Sequence, residues 1–143
     1  MDTRLSAYLQ APKSNGNPHE QALIRRWWVE KKRSQGLLAW EYYLRGCYVD
    51  AVWFPDVDDS DEVFGTGMPL KYPINGKVIV LCEAKIRLTP ELIGQALVYK
   101  SFAVREGAIL REARIFADTG SDHLRTAACD LGLEVEIQDD TPE

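Results

Sequence analysis

No run of about 18 apolar residues occurs in the sequence, which excludes a helix that spans a membrane. The three cysteines, Cys47, Cys82 and Cys129, are odd in number and have no paired spacing. That leaves little room for a zinc module or a disulfide framework, and buried reduced thiols in a cytosolic protein are the simplest expectation. Met1-Asp2-Thr3-Arg4 has neither the basic start nor the apolar centre of a secretion signal, so a cytoplasmic location is expected. There is no internal repeat and no low-complexity tract. No helix-turn-helix or zinc pattern is present to read a base sequence.

Positive charge is in deficit as well: 17 Lys and Arg stand against 22 Asp and Glu, a net charge of −5. Taken alone this argues against a polyanionic partner, but the acids are unevenly spread. Asp56, Asp58, Asp59, Asp61 and Glu62 fall within residues 56–62, and Glu134, Glu136, Asp139, Asp140 and Glu143 within 134–143. Neither segment holds a Lys or Arg. Outside them 12 acids face 17 bases, so a basic face on the remainder is compatible with the composition.

At 143 residues the chain is long enough for one domain with its own core. Leu5 to Leu9 has the pattern of a short helix, and Lys13 to Gly16 that of a loop. Asn17-Pro18-His19-Glu20 carries a cap, a first-turn proline and a glutamate three residues after the cap, which predicts a helix start. Leu23, Ile24, Trp27 and Trp28 form its apolar stripe, Arg25, Arg26, Lys31, Lys32 and Arg33 line its other faces, and Gly36 is expected to end it. Leu37–Leu44 and Cys47–Phe54 read as a hairpin about Arg45-Gly46, with Tyr48, Asp50, Val52 and Phe54 on one face and Val49, Ala51 and Trp53 on the other. Residues 55–76 read as an acidic insertion that closes on the hairpin signal Asn75-Gly76. Lys77 to Lys85 is a buried central strand. A helix follows from Thr89-Pro90 to about Glu106, with Ile93, Ala96, Leu97, Ala103 and Val104 as its stripe. Then come a short strand at 114–117, a helix at 121–131 and a strand at 133–137, with a polar tail at 138–143. The order α-β-β-β-α-β-α-β predicts an α/β fold, a mixed central sheet flanked by helices in a single domain whose core spans about 17–137.

The central strand ends in Glu83-Ala84-Lys85. Alternation sets Glu83 and Lys85 on one side, so a carboxylate and an ammonium emerge together from an apolar strand. Asp50 interrupts another apolar strand, and a buried unpaired carboxylate is costly. Hydrolysis of a phosphodiester needs a nucleophilic water, relief of phosphate charge and help for the leaving oxygen. A Mg²⁺ ion on hard oxygen ligands supplies parts of all three. Asp50, Glu83 and the carbonyl of Ala84 fit the ligand role, and Lys85 would orient the nucleophile or steady developing charge. Glu20 would reach the metal through a water. Gln95 and Tyr99, four apart on the next helix, would extend and support the site.

Each residue has a plainer reading. Glu83 and Lys85 serve equally as a solvated ion pair, Asp50 as a structural partner of Arg45, and Glu20 as a capping-box residue. Gln95 and Tyr99 could simply edge the helix core, and Glu41 faces either cleft or solvent. His19 and His123 read as surface or capping residues, and Trp27 and Trp28 as core rather than base-stacking surfaces. Trp40, Tyr42 and Trp53 suit a core or an interface.

Taken in order, Val49-Asp50, Glu83-Ala84-Lys85 and Gln95-Ala96-Leu97-Val98-Tyr99 resemble the motifs of the PD-(D/E)XK nuclease superfamily. The last segment is similar to the Gln-x-x-x-Tyr motif of RecB-like members. Glu20 is placed like the helical glutamate of archaeal Holliday-junction resolvases, and the stretch from Gly46 to Tyr99 also resembles the nuclease domain of archaeal mismatch-specific endonucleases. Val49 stands where the family has proline, and the spacing from Asp50 to Glu83 is long. The resemblance implies a restriction-endonuclease-like core and hydrolysis of DNA dependent on Mg²⁺, with Mn²⁺ able to substitute. It implies Asp50 and Glu83 as metal ligands, Lys85 as the catalytic lysine and Gln95 as a supporting residue. It also implies a role in repair, recombination or mobile-element processing, as a homodimer or within a larger nucleoprotein assembly. Two alternatives remain: a non-catalytic DNA-binding or assembly module on the same fold, and an RNA-processing nuclease.

Overall fold

A computed structural model of the chain describes Tyr8 and residues 17–58, 60–64 and 68–138. The expectations for Leu5 to Leu9, Lys13 to Gly16 and most of the tail lie outside these residues. The described elements are α1 (Pro18–Lys32), β1 (Leu37–Leu44), β2 (Cys47–Phe54), β3 (Asp61–Phe64), α2 (Met68–Lys71), β4 (Val78–Arg87), α3 (Pro90–Arg105), β5 (Ile109–Thr119), α4 (Asp122–Asp130) and β6 (Glu134–Ile137). Six strands form one sheet in the order β3-β1-β2-β4-β5-β6. β1 and β2 make the expected antiparallel hairpin, and β2 pairs antiparallel with β4. β4-α3-β5 and β5-α4-β6 are parallel crossovers. The sheet is therefore mixed, as the pattern of hairpin then crossovers requires.

Side chains leave the sheet on two faces, and each face has its own core. Leu23, Ile24, Trp27 and Trp28 of α1 pack on Leu38, Trp40, Ala51, Trp53, Val80 and Phe116. On the opposite face Leu92, Ile93, Ala96, Tyr99 and Ala103 of α3, with Ala128 of α4, pack on Leu37, Val52, Phe54, Ile79, Leu81 and Ile115. Trp40, Tyr42 and Trp53 belong to these cores. Trp27 meets Trp53 and Phe116 edge-on at centroid distances of 5.4 and 5.5 Å, contacts worth about 0.5–1.5 kcal/mol each beyond the area they bury.

Several local expectations are corrected. α1 stops at Lys32, because Arg33 and Ser34 adopt left-handed backbone (φ 53° and 54°), not at Gly36. Gly36 instead lies so close to Phe54 and Pro55 that a Cβ would overlap their backbone. At the same turn one carbonyl oxygen, that of Gln35, accepts the indole N–H of both Trp28 (2.8 Å) and Trp53 (2.7 Å). Arg25 is buried rather than on an outer face, and Val104 is exposed rather than in the α3 stripe. β5 is 11 residues long and not confined to 114–117; its first half alternates between exposed and half-buried, which hides its pattern in the sequence. Of the thiols only Cys82 is buried; Cys129 is exposed. Asn75-Gly76 is a turn, but the chain before it is not a strand paired with β4, so it closes no hairpin.

The 55–76 segment is not a mere appendage, since it contributes an edge strand to the sheet. Asp61–Phe64 runs parallel to β1, with Leu37 opposite Asp61 and Trp40 opposite Phe64. The two added elements, β3 and α2, fall within an otherwise expected order. Glu62 accepts from Arg25 (2.9 Å) and from the indole of Trp40 (2.8 Å), and the guanidinium lies 5.0 Å from the Trp40 ring centroid. The acidic stretch is thus fixed at the sheet edge beside the start of β1.

Candidate active site

The face assignment expected for β2 fails at Asp50. Val49, Val52 and Phe54 enter the α3-side core, while Ala51 and Trp53 enter the α1-side core. β1 changes phase at the same level: Leu37, Ala39, Tyr42 and Leu44 share the α3 side, and Glu41 between them has φ 51°. Strict alternation cannot anticipate this, since one left-handed residue in a strand shifts every later side chain to the other face.

The β2–β4 ladder runs from Trp53–Val80 to Ala51–Cys82 and stops there. At this fork the next two residues are Asp50 and Glu83. Each carboxylate bonds the other strand's backbone: Asp50 Oδ2 accepts from the Ala84 N–H at 2.8 Å, and Glu83 Oε2 accepts from the Asp50 N–H at 2.6 Å. The N–H and C=O of one extended residue project to the same side of its strand, so the Ala84 carbonyl is also directed into the fork. Glu83 is only 4% exposed, and Asp50 is half-buried.

This arrangement is electrostatically adverse. Burial holds the Glu83 carboxyl well above the ordinary carboxylate range, and the Asp50 charge raises it further. The Asp50 N–H, Lys85 and, in the raising sense, Glu20 act more weakly. Burial likewise raises Asp50, the Ala84 N–H opposes it, and the carboxylates of Glu20 and Glu41 add to the rise while Lys85 lowers it. Two acids are thus held together by backbone donors against desolvation and mutual repulsion.

Flanking elements complete the surroundings. Glu20, Glu41 and Asp50 line a small depression with Asn17, Gln21 and Ile24. Asn17 caps α1 by accepting from the N–H groups of His19 and Glu20. Glu20 also borders an open cleft with Lys85, Arg87, Thr89 and Gln95. Tyr99 is buried under Glu83; burial first, then the Glu83 charge, pushes its phenol up to about 12. Asp50, Glu83, Ala84, Lys85, Glu20 and Gln95 are therefore brought to one end of the sheet, with Tyr99 beneath.

Arg45 pairs with Glu106 at 2.9 Å, which removes it as the structural partner of Asp50. His19 is not a plain surface residue, since Nε2 meets Asp118 Oδ2 at 2.5 Å and ties the start of α1 to β5. Arg87 was not singled out by sequence, although the alternation that joins Glu83 to Lys85 extends to it. Among the described residues no group of three or more His, Cys, Asp or Glu side chains is set to hold a metal by itself. A cation here would rest on two carboxylates and a backbone carbonyl, a hard-oxygen set of the kind that suits Mg²⁺.

No family model and no curated protein sequence matches the chain. A solved structure does: the crystal structure of a repair endonuclease from Pyrococcus abyssi, with a TM-score of 0.53 and 16% identity. The match covers 89% of this chain and 49% of the endonuclease, so this chain spans about half the length of that protein. The fold is shared with a nuclease. The mixed six-stranded sheet with helices on both faces is consistent with a restriction-endonuclease-like fold. Among the described residues no helix is long and apolar enough to cross a membrane.

Proposed function

We propose that the chain is a metal-dependent nuclease that hydrolyses phosphodiester bonds in DNA. The observation that carries this reading is the Asp50–Glu83 pair across the fork, with Lys85 two residues on at the edge of an open cleft. Buried acids with structural duties are normally matched by a cation or uncharged. Here two are kept adjacent while Lys85 remains exposed, which suits a site that gains its positive charge from a divalent ion and a polyanion.

Asp50 Oδ1, Glu83 Oε1 and the Ala84 carbonyl would hold Mg²⁺ or Mn²⁺, leaving the oxygens already bonded to backbone to fix the carboxylate angles. Such an ion supplies an activated water and neutralises phosphate charge. Lys85 would donate to the attacking water or to a non-bridging phosphate oxygen as negative charge builds there. Gln95, from the cleft wall on α3, would hydrogen-bond the water or phosphate. Glu20, across the cleft on α1, would accept a hydrogen bond from a water and orient it. Tyr99 would keep Glu83 in place from below. The fold shared with a repair endonuclease favours DNA as the polymer and repair as the setting.

The test is a cleavage panel in Mg²⁺ and in Mn²⁺ with single-stranded, duplex, flap and four-way-junction DNA, and RNA of matched sequence. Cutting that needs metal and is lost in Glu83→Gln and Lys85→Ala supports the proposal. Cutting retained in both variants removes this site from the reaction.

A further inference from the structure

Lys85 and Arg87 share one face of β4. Ala84 packs into the α1-side core, so alternation turns Glu83, Lys85 and Arg87 to the α3 side. The adjoining strand agrees: Lys85 lies opposite Ala117, which belongs to the α3-side core, and Arg87 lies opposite Thr119, two residues on. β4 stays paired with β5 as far as that last register, although its ladder with β2 has ended at Cys82. The two cations therefore stand on extended backbone that is hydrogen-bonded along one edge, with their Cα atoms about 6.7 Å apart. Both are exposed, and both border the open cleft with Gln95 of α3 and Glu20 of α1. Among the described residues neither forms an ion pair, not even with Glu20 or Glu91, the two acids that share the cleft. Arg114, on the adjoining strand, is by contrast held by Glu112 and Glu136.

We propose that Arg87 binds the phosphate next to the one that is cut, so that Lys85 and Arg87 grip successive phosphates of one DNA strand. The proposal rests on the nuclease reading of Asp50, Glu83 and Lys85 and extends that site by one nucleotide. Successive phosphates lie farther apart than the axial rise of about 3.4 Å per nucleotide, because the backbone winds around its axis. A two-residue step along a β-strand is of that order. The guanidinium suits the second position, since its planar fork takes two non-bridging oxygens of one phosphate at once. A contact of this kind adds affinity and register and carries no base preference. A solvated arginine at a strand end is the plainer reading. It would not require the charge to stand in step with Lys85, on the same face and in the same cleft.

The experiment is fluorescence anisotropy in EDTA, so that binding is read without cleavage, with a labelled DNA duplex and a labelled single strand over a series of salt concentrations. Arg87→Gln is expected to reduce the slope of log affinity against log salt by about 0.9 on the duplex or about 0.7 on the single strand, the loss of one phosphate contact. That amounts to about 5- to 8-fold in affinity at about 0.1 M salt. Arg87→Lys keeps the charge and should restore the slope. Arg105→Gln removes an exposed cation at the last turn of α3, about 22 Å along the helix and beyond the Debye length of about 10 Å, and should leave the slope unchanged. On whichever DNA is cut, Arg87→Gln should raise KM by a similar factor with kcat within about twofold, unlike Lys85→Ala. An unchanged slope, an equal fall in Arg105→Gln, a loss confined to kcat, or no binding by the wild type would overturn the proposal. Metal-dependent cutting with an unchanged slope ends this contact and spares the nuclease. The expected fall in slope with no cutting of any substrate supports the phosphate contact and ends the nuclease reading.

Discussion

Glu62 and Glu83 are both carboxylates held against the same sheet, and their surroundings are opposite in sign. Glu62 receives a buried guanidinium and an indole N–H and faces no second acid in that contact. Glu83 receives one backbone N–H and is pressed against Asp50, with Glu20 nearby. The first acid holds β3 and α1 together. The second raises the energy of the fold, and what it provides is a place where added positive charge is favourable. The contrast separates an acid matched by cations and donors within the fold from one left unmatched by it, without reference to any motif.

Exchanging charge for amide should split the two most strongly. Asp50→Asn and Glu83→Gln are expected to lower cleavage by at least about 10²-fold, as loss of a positioned electrostatic group does, while the thermal midpoint holds or rises. Glu62→Ala should do the reverse, costing about 3 kcal/mol in chemical denaturation because it leaves the buried Arg25 guanidinium with no carboxylate, only the Tyr8 carbonyl and the Trp40 ring, and the cleavage rate per folded molecule should change little. A fall in stability for Glu83→Gln that matched Glu62→Ala would erase the distinction.

Divalent cation sharpens the comparison from the other side. Mg²⁺ at 100 times its dissociation constant should stabilise the wild type by about 2.7 kcal/mol and Glu83→Gln hardly at all, read as the shift in unfolding midpoint on adding EDTA. Next in size is the response to pH. Asp50 and Glu83 bind protons more tightly folded than unfolded, because both carboxyls are raised. Their contribution therefore favours the fold at low pH and is lost as pH climbs from the ordinary carboxylate range through the raised values. Without metal, the Asp50→Asn/Glu83→Gln double variant should gain on the wild type between pH 4 and about 9 in parallel denaturant titrations. A constant gap would contradict the raised carboxyls that burial and, after it, mutual repulsion produce. The smallest effect is expected at the exposed Arg45–Glu106 pair, where Arg45→Ala should alter stability by no more than about 0.5 kcal/mol.

Much of the fold could be read from residue order. Asn17-Pro18 and Thr89-Pro90 are helix caps in fact as in sequence, and the apolar run before Glu83 is the centre of the sheet. β3 escaped because Asp61–Phe64 has little hydrophobic signal of its own; it pairs through backbone and through the Glu62–Arg25 contact, which joins residues 37 apart. The faces of β2 escaped because its change of phase at Asp50 comes level with the left-handed Glu41 of the adjoining strand, a coincidence of two strands that the pattern of one does not show. For the candidate site, the alternation of Glu83 and Lys85 was legible from spacing. The fork itself was not, because a ladder's end is a property of two strands and no single segment encodes it.

The ties at the two ends of α1 make the helix a rod clamped twice. At one end two indoles share the Gln35 carbonyl and Gly36 sits flush against Pro55; at the other His19 holds Asp118. The rod is about 22 Å long at 1.5 Å per residue, and Glu20 rides on its first turn. A methyl group added at Gly36 would therefore act like a shim under one foot of a beam, tilting a carboxylate at the far end. The accuracy with which the cleft is assembled is set partly by a turn at the opposite end of the helix.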